Sequence, residues 1–323
     1  MSSTEKTLVP APAAFGLTDL GLILTAMIWG AHYSVLKVGL ETLQPFTFSA
    51  IRLVSAFIIL VVLALSVRDV PWPSRKDTVA LIAIGLIGNG FYQLLFMEGM
   101  TTTRAGIAAL IIAASPAWVA IIGRLMGRER VSSRAWLGIV LQLVGVACVV
   151  LSSNMLNGPP GALTGTFLIM FGGVLWSLYS VLLQPYTERI HPMHLSAITL
   201  SGGALLMLIV ATPDLLHLNF ATIGVPAWSA LAYSSIGAMV IAYMLFYNGI
   251  RVIGPTRTAV YGNLQPIVAI LVAWYLVHET PSVWQWIGAA IITGGLMMSR
   301  TAKVEAPLED LPPKNIGHEA RTV

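Results

Sequence analysis

One stretch of this sequence returns, and its return restricts the fold more than any other feature. Pro45-Phe46-Thr47-Phe48-Ser49-Ala50-Ile51 reappears as Pro192-Met193-His194-Leu195-Ser196-Ala197-Ile198, 147 positions later. Further along the offset becomes 150: Leu95-Phe96 and Gly99 return as Leu245-Phe246 and Gly249, and Pro116 as Pro266. Glu129 returns as Glu279, Trp136 as Trp286, Gly138 as Gly288 and Gly145 as Gly295. Each half holds about five apolar segments. An odd number of crossings obliges the second half to enter a bilayer with opposite orientation.

Composition says that the segments do cross. Hydrophobic residues make up 56% of the 323 residues and charged residues only 10%, where a soluble domain carries about a quarter charged. The pattern predicts helices over 17–38, 45–66, 79–98, 104–124, 133–152, 163–184, 193–212, 227–248, 255–277 and 283–300. Each is near the ~20 residues that span the hydrocarbon core. The expected fold is an all-α polytopic membrane protein of ten transmembrane helices in two inverted five-helix repeats, 17–152 and 163–300. A cytoplasmic segment 1–16, a periplasmic linker 153–162 around Asn157-Gly158-Pro159-Pro160-Gly161 and a disordered cytoplasmic tail 301–323 complete the chain. The connections leave no room for a soluble catalytic domain.

Charge orients the helices. With both termini in the cytoplasm, fifteen Lys and Arg fall inside, and only Lys37 and Arg104 outside. Arg52 lies within a helix, where its long side chain is expected to snorkel to the interface; a seat for an anionic group is the other reading. The net charge of +4 follows from the same bias and does not call for nucleic acid. The first apolar run is long enough to span and is expected to stay in the chain. The lone Cys148 excludes an intrachain disulfide and is read as packing.

Polar and aromatic residues at depth are the candidates for function, because polar groups in lipid turn towards protein or water. Trp29, Tyr33 and Ser34 in the first helix are echoed by Trp176, Tyr179 and Ser180 in the sixth. His32 is a candidate proton relay; the plainer reading is a neutral histidine hydrogen-bonded to a neighbouring helix. Asn89, Gln93 and Met97 share one face of the third helix, and the repeat maps them onto Met239, Tyr243 and Tyr247. Pro116 and Pro266 interrupt equivalent helices and free the carbonyls of Ile112 and Gly262. Ser115, Tyr261, Asn263 and Gln265 flank these breaks, and symmetric breaks point to a transport site or gate. Gly138, Gly145, Gly288 and Gly295 have the spacing of close helix packing. His191 and His194 lack a third partner, so no metal site is expected.

Taken together, these motifs resemble the drug/metabolite transporter superfamily in its EamA-type branch. The resemblance rests on Trp29-Gly30-x-x-Tyr33 with Lys37, Pro45 followed by Arg52, Ser115-Pro116, and Gly127-Arg128-Glu129-Arg130 before Trp136-x-Gly138. The second half adds Trp176, Gly254-Pro255, Asn263-Leu264-Gln265-Pro266, Glu279 and Gly288. It covers residues from about 20 to 300. It implies ten helices, a pseudo-twofold axis in the membrane plane, and a central cavity lined mainly by helices 1, 3, 4, 6, 8 and 9. The resemblance also implies export, since many relatives export amino acids or related metabolites across a bacterial inner membrane. The four-helix relatives use a first-helix glutamate that this chain lacks, and the sugar-phosphate carriers use a more basic cavity.

The expected function is therefore secondary transport, in the export direction, of small neutral or zwitterionic metabolites such as amino acids by alternating access. Trp29, Tyr33, Asn89, Gln93, Trp176, Tyr179, Tyr243, Tyr247, Tyr261 and Gln265 are expected to bind the solute, with Ser115, Pro116, Asn263 and Pro266 forming breaks or gates. Aromatic or cationic xenobiotics are an alternative cargo. A sensor or subunit that keeps the fold without transport is another. No enzyme activity and no cofactor are expected. The partners are the small-molecule substrate and the lipid bilayer, in the inner membrane with both termini cytoplasmic; a homodimer is allowed and a monomer suffices.

Overall fold

The computed structural model describes residues 16–67, 70–127, 132–157, 161–253, 258 and 261–300. The segment before residue 16, the tail 301–323, Glu129, Gly254-Pro255 and Gly158–Pro160 lie outside them, as does the side chain of Asn263. Every element among the described residues is helical. Seven helices are long and apolar enough to cross a membrane. They are α1 (Leu17–Leu40), α2 (Pro45–Ser66), α3 (Arg75–Thr102), α4 (Ala105–Leu125), α6 (Ala162–Thr187), α7 (Pro192–His217) and α8 (Val225–Ile253), whose qualifying part is Val225–Gly249. Shorter apolar stretches, Ser133–Val149, Gln265–Leu276 and Val283–Met298, belong to α5 (Ser133–Asn157), α9 (Gln265–Leu276) and α10 (Val283–Arg300).

Local chemistry sets the helix starts. Pro45, Pro192 and Pro266 occupy the first turns of α2, α7 and α9, where a missing N–H costs nothing. Ser74 caps α3 by accepting from the Asp77 N–H at 3.1 Å. Asp77 in turn holds Arg189, beyond the end of α6, through Nη2 at 2.8 Å and Nη1 at 3.1 Å.

Two helices depart from the α-helical register expected for them. In α3, Leu86–Phe91 is π-helical, and the Tyr92 N–H reaches the Ile87 carbonyl five residues back. In α8, Tyr233–Ile241 is π-helical, and the Ala242 N–H reaches the Gly237 carbonyl. The residues 86–91 and 236–241 are 150 positions apart, so both distortions fall at equivalent places in the repeat.

Packing follows the small residues. α5 and α10 meet along Gly138, Gly145, Gly288 and Gly295; a Cβ on Gly295 would lie 2.6 Å from the Gly138 carbonyl oxygen. α2 and α7 meet along Ala50, Leu53, Ala56, Leu60 and Ala64 against Ala197, Leu200, Ala204 and Ala211. α1 packs on α8 and α9, and α6 packs on α3 and α4. Large side chains such as Ile58, Val62, Phe167, Phe171, Leu205 and Ile209 stay exposed on the outside. In water such a belt would drive aggregation; in lipid it is the solvent contact.

Candidate functional site

Between α1, α2, α3, α4, α6, α8, α9 and α10 lies a cavity of about 290 Å³, near the small end of the ~300–1,000 Å³ range of small-molecule sites. Two aromatic groups line it, one carried by α1 and α8 and the other by α3 and α6. On one side Trp29 packs its ring 5.7 Å from Tyr243 and 5.2 Å from Phe246, and its indole N–H donates to the Ala238 carbonyl at 2.9 Å. That carbonyl lies in the π-helical part of α8. On the other side Trp176 sits 5.4 Å from Tyr92, whose ring is 5.4 Å from Phe96. Tyr33 closes one end by packing edge-on to Phe96 at 5.9 Å.

The polar centre of the wall is Arg52, and here the expectation fails. Arg52 does not snorkel: it is 0% exposed. Its Nη2 donates to Gln93 Oε1 at 2.5 Å and contacts the Met97 sulfur at 3.5 Å. Its Nη1 lies 3.1 Å from His32 Nε2. A guanidinium only donates, so Nε2 accepts and carries no proton in this arrangement. The Phe48 ring adds a weak cation–π contact at 5.9 Å. Acceptors on α1 and α3 hold the charge inside and replace the water it would otherwise seek. An unpaired Arg at the centre of a membrane helix costs about 2.5–3.5 kcal/mol on insertion scales.

The expected residues divide between the cavity wall and its surroundings. Trp29, His32, Tyr33, Gln93, Trp176, Tyr243 and Gln265 line the cavity, as do Ser115, Pro116 and Pro266. Asn89, Tyr179, Tyr247 and Tyr261 do not. Asn89 borders a small neighbouring void with Ser196 and Thr199. The Tyr179 hydroxyl lies among Asn89, Thr199 and Tyr247, with its ring so close to Gly88 that a Cβ there would collide with it. Tyr247 also lines a second cavity of about 150 Å³ near His191. The Tyr261 hydroxyl donates to Asp19 at the start of α1. Asn89 lies inside the π-helical segment of α3, and Tyr92 and Gln93 lie in the α-helical turn that follows it. Tyr92, Phe96, Phe246 and Arg52 are lining residues absent from the expected set.

The carbonyls expected to be freed by Pro116 and Pro266 are occupied. α4 is interrupted at Ala114, and the Ser115 hydroxyl donates to the Ile112 carbonyl at 2.6 Å. Ser177 of α6 donates to the Ser115 carbonyl at 3.2 Å. Ahead of α9, Gly262–Leu264 forms a 3₁₀ turn whose Gly262 carbonyl accepts from the Gln265 N–H.

The ends of the cavity differ. Beyond Tyr33 the space is filled by Leu36, Phe48, Met97, Met100, Ala105 and Leu110, all fully buried. There the Glu279 carboxylate, past the end of α9, accepts from the Ala105 and Gly106 N–H groups of α4 at 3.0 and 3.3 Å. At the opposite end Pro116, Gly262, Gln265 and Thr293 are partly exposed. Among the described residues no group of three or more His, Cys, Asp or Glu side chains forms a metal site. His194 instead stacks on Trp72 at 4.3 Å and contacts the Ala64 carbonyl.

The sequence model of the EamA-like transporter family matches residues 16–151 and again 163–301. An uncharacterized transporter of Archaeoglobus fulgidus is 27% identical over 289 residues, covering 88% of this chain and 98% of its own. The uncharacterized transporter YyaM of Bacillus subtilis is 26% identical over 270 residues, covering 83% and 88%. The uncharacterized inner membrane transporter YedA of Escherichia coli K12 is 26% identical over 287 residues, covering 87% and 90%. A solved crystal structure overlays with a TM-score of 0.60 at 20% identity, across 86% of this chain and 94% of that one.

Proposed function

The chain belongs to the EamA-like transporter family, and from that premise we propose that it is a secondary exporter of small metabolites such as amino acids, working by alternating access. The observation that carries this reading is the cavity itself. It is small, aromatic, polar at Arg52 and Gln93, and filled beyond Tyr33 among the described residues. Partly apolar solutes of amino-acid size fit such a lining. Arg52 in the wall opposes cationic cargo, which weakens the xenobiotic alternative.

In this reading ten spans form two inverted repeats. The support is the constant offset in sequence, the matched π segments, and the matched packing of α1 on α9 and α6 on α4. α5 and α10 join the halves. The protein sits in the bacterial inner membrane with both termini in the cytoplasm, as its basic residues suggest. The Glu279 end then faces outward and the Gln265 end faces the cytoplasm. Trp29, Tyr33, Tyr92, Gln93, Trp176 and Tyr243 hold the solute. His32, held by Arg52, shares the wall and is the candidate for proton coupling.

Counterflow tests this. Proteoliposomes are preloaded with one unlabelled amino acid at a time, and uptake of its labelled form is followed without a gradient. Saturable uptake that requires the trans solute is expected. Leakage equal to protein-free vesicles across the whole amino-acid panel overturns the cargo assignment.

A further inference from the structure

A single fixed cation faces a cavity whose wall, among the described residues, contains no Asp or Glu. Arg52 is fully buried, yet its acceptors Gln93, His32 and Met97 are all neutral. Its Nε has no hydrogen-bond partner. Charges kept in such surroundings are normally paired, and one left without a counter-charge calls for an anion from outside the protein.

We infer that Arg52 is the seat of a substrate carboxylate, and that the cargo is a monocarboxylate with an aromatic or bulky apolar body whose amino group is dispensable. This rests on the transport reading of the cavity. The planar guanidinium presents Nε and Nη2 along one edge, and a carboxylate matches that edge with two parallel hydrogen bonds. A carboxylate that replaces the Gln93 amide oxygen on Nη2 engages the unpartnered Nε as well. The apolar body then lies between Trp29 with Tyr243 on one side and Trp176 with Tyr92 on the other. An α-ammonium finds no carboxylate in the described wall and is repelled by Arg52. One cation and about 290 Å³ of space also disfavour a dianion.

The test measures binding to purified full-length protein at neutral pH by quenching of tryptophan fluorescence. Four matched probes are titrated: 3-phenylpropanoate, 3-phenylpropanamide, 2-phenylethylamine and phenylalanine. The acid is expected to bind saturably, phenylalanine no better than the acid, and the amide and amine at least about ten-fold more weakly. These comparisons use the unmodified protein and do not depend on a variant folding. Arg52→Lys keeps the charge but not the fork, and is expected to weaken the acid while leaving the amide unchanged. Amide binding as tight as the acid, or phenylalanine binding about ten-fold tighter than the acid, overturns the inference. Counterflow of other solutes by protein that does not bind the acid overturns the carboxylate seat and leaves transport standing. Absence of both binding and counterflow overturns the two together.

Discussion

Removing the carboxylate of Glu279 should unlatch the filled end of the cavity. That carboxylate accepts from the first two N–H groups of α4 at 3.0 and 3.3 Å, across 174 and 173 positions of sequence. A hydrogen bond to a charged group contributes about 1.5–3 kcal/mol, and an anion at a helix N-terminus about 0.3–1 kcal/mol. The contact is partly buried and its second bond is long, so about 2 kcal/mol is a fair value for the pair. If the latch is absent when this end opens, Glu279→Ala raises the open population by roughly 30-fold, since each 1.4 kcal/mol is a factor of ten. Glu279→Gln keeps one acceptor and loses the charge, so a rise of only several-fold is expected. The assay needs one reporter thiol. Cys148 is the sole cysteine, so Cys148→Ser combined with Ser180→Cys places a thiol on the cavity wall. Its labelling by a membrane-impermeant maleimide, added from the Glu279 side, follows the open population. Equal labelling rates in the parent and in the Glu279→Gln and Glu279→Ala variants, at equal thermal stability, would refute the latch.

Further changes have outcomes that the packing decides. Gly295→Ala sets a Cβ 2.6 Å from the Gly138 carbonyl oxygen, while Gly294→Ala has nothing within 4 Å; the first should cost about 1–3 kcal/mol and lower the midpoint of thermal unfolding in detergent, and the second should not. Ser115→Ala removes the hydroxyl that occupies the Ile112 carbonyl beside Pro116 and should cost about 1 kcal/mol in the same assay, with Ser115→Thr restoring most of it. Gln93→Glu would set an internal carboxylate where the Gln93 amide now meets Arg52 at 2.5 Å. The folded protein should be at least as heat-resistant as the parent and should lose counterflow of carboxylate solutes.

Much of the helical framework can be read directly from the residues. Apolar runs between Pro45 and Ser66 or Pro192 and His217 match helices of spanning length, because only helices satisfy the backbone within one apolar segment. The glycines of α5 and α10 are equally legible, since their contact needs only small residues at repeating positions on each helix. The register inside α3 and α8 is not. A π turn is a change in backbone hydrogen bonding, and the side-chain pattern of 86–91 carries no clear mark of it beyond the glycines at 85, 88 and 90. Asn89, which shares a face with Gln93 in an unbroken α-helix, borders the neighbouring void instead, and Tyr92 takes a place on the wall. Arg52 is hidden for another reason. A long cationic chain is expected to reach for the interface, and only the meeting of α1, α2 and α3 supplies His32 and Gln93 as acceptors at depth. Tyr261 illustrates the same limit, since its partner Asp19 lies 242 positions away.

The transport path proposed for the solute runs between Trp29 and Trp176. Ser180→Cys in the Cys148→Ser background should be modified by a bulky maleimide, and counterflow should stop in proportion to the labelled fraction. The solute that exchanges, added in excess, should slow that modification. Full modification with undiminished counterflow would place the transport path elsewhere.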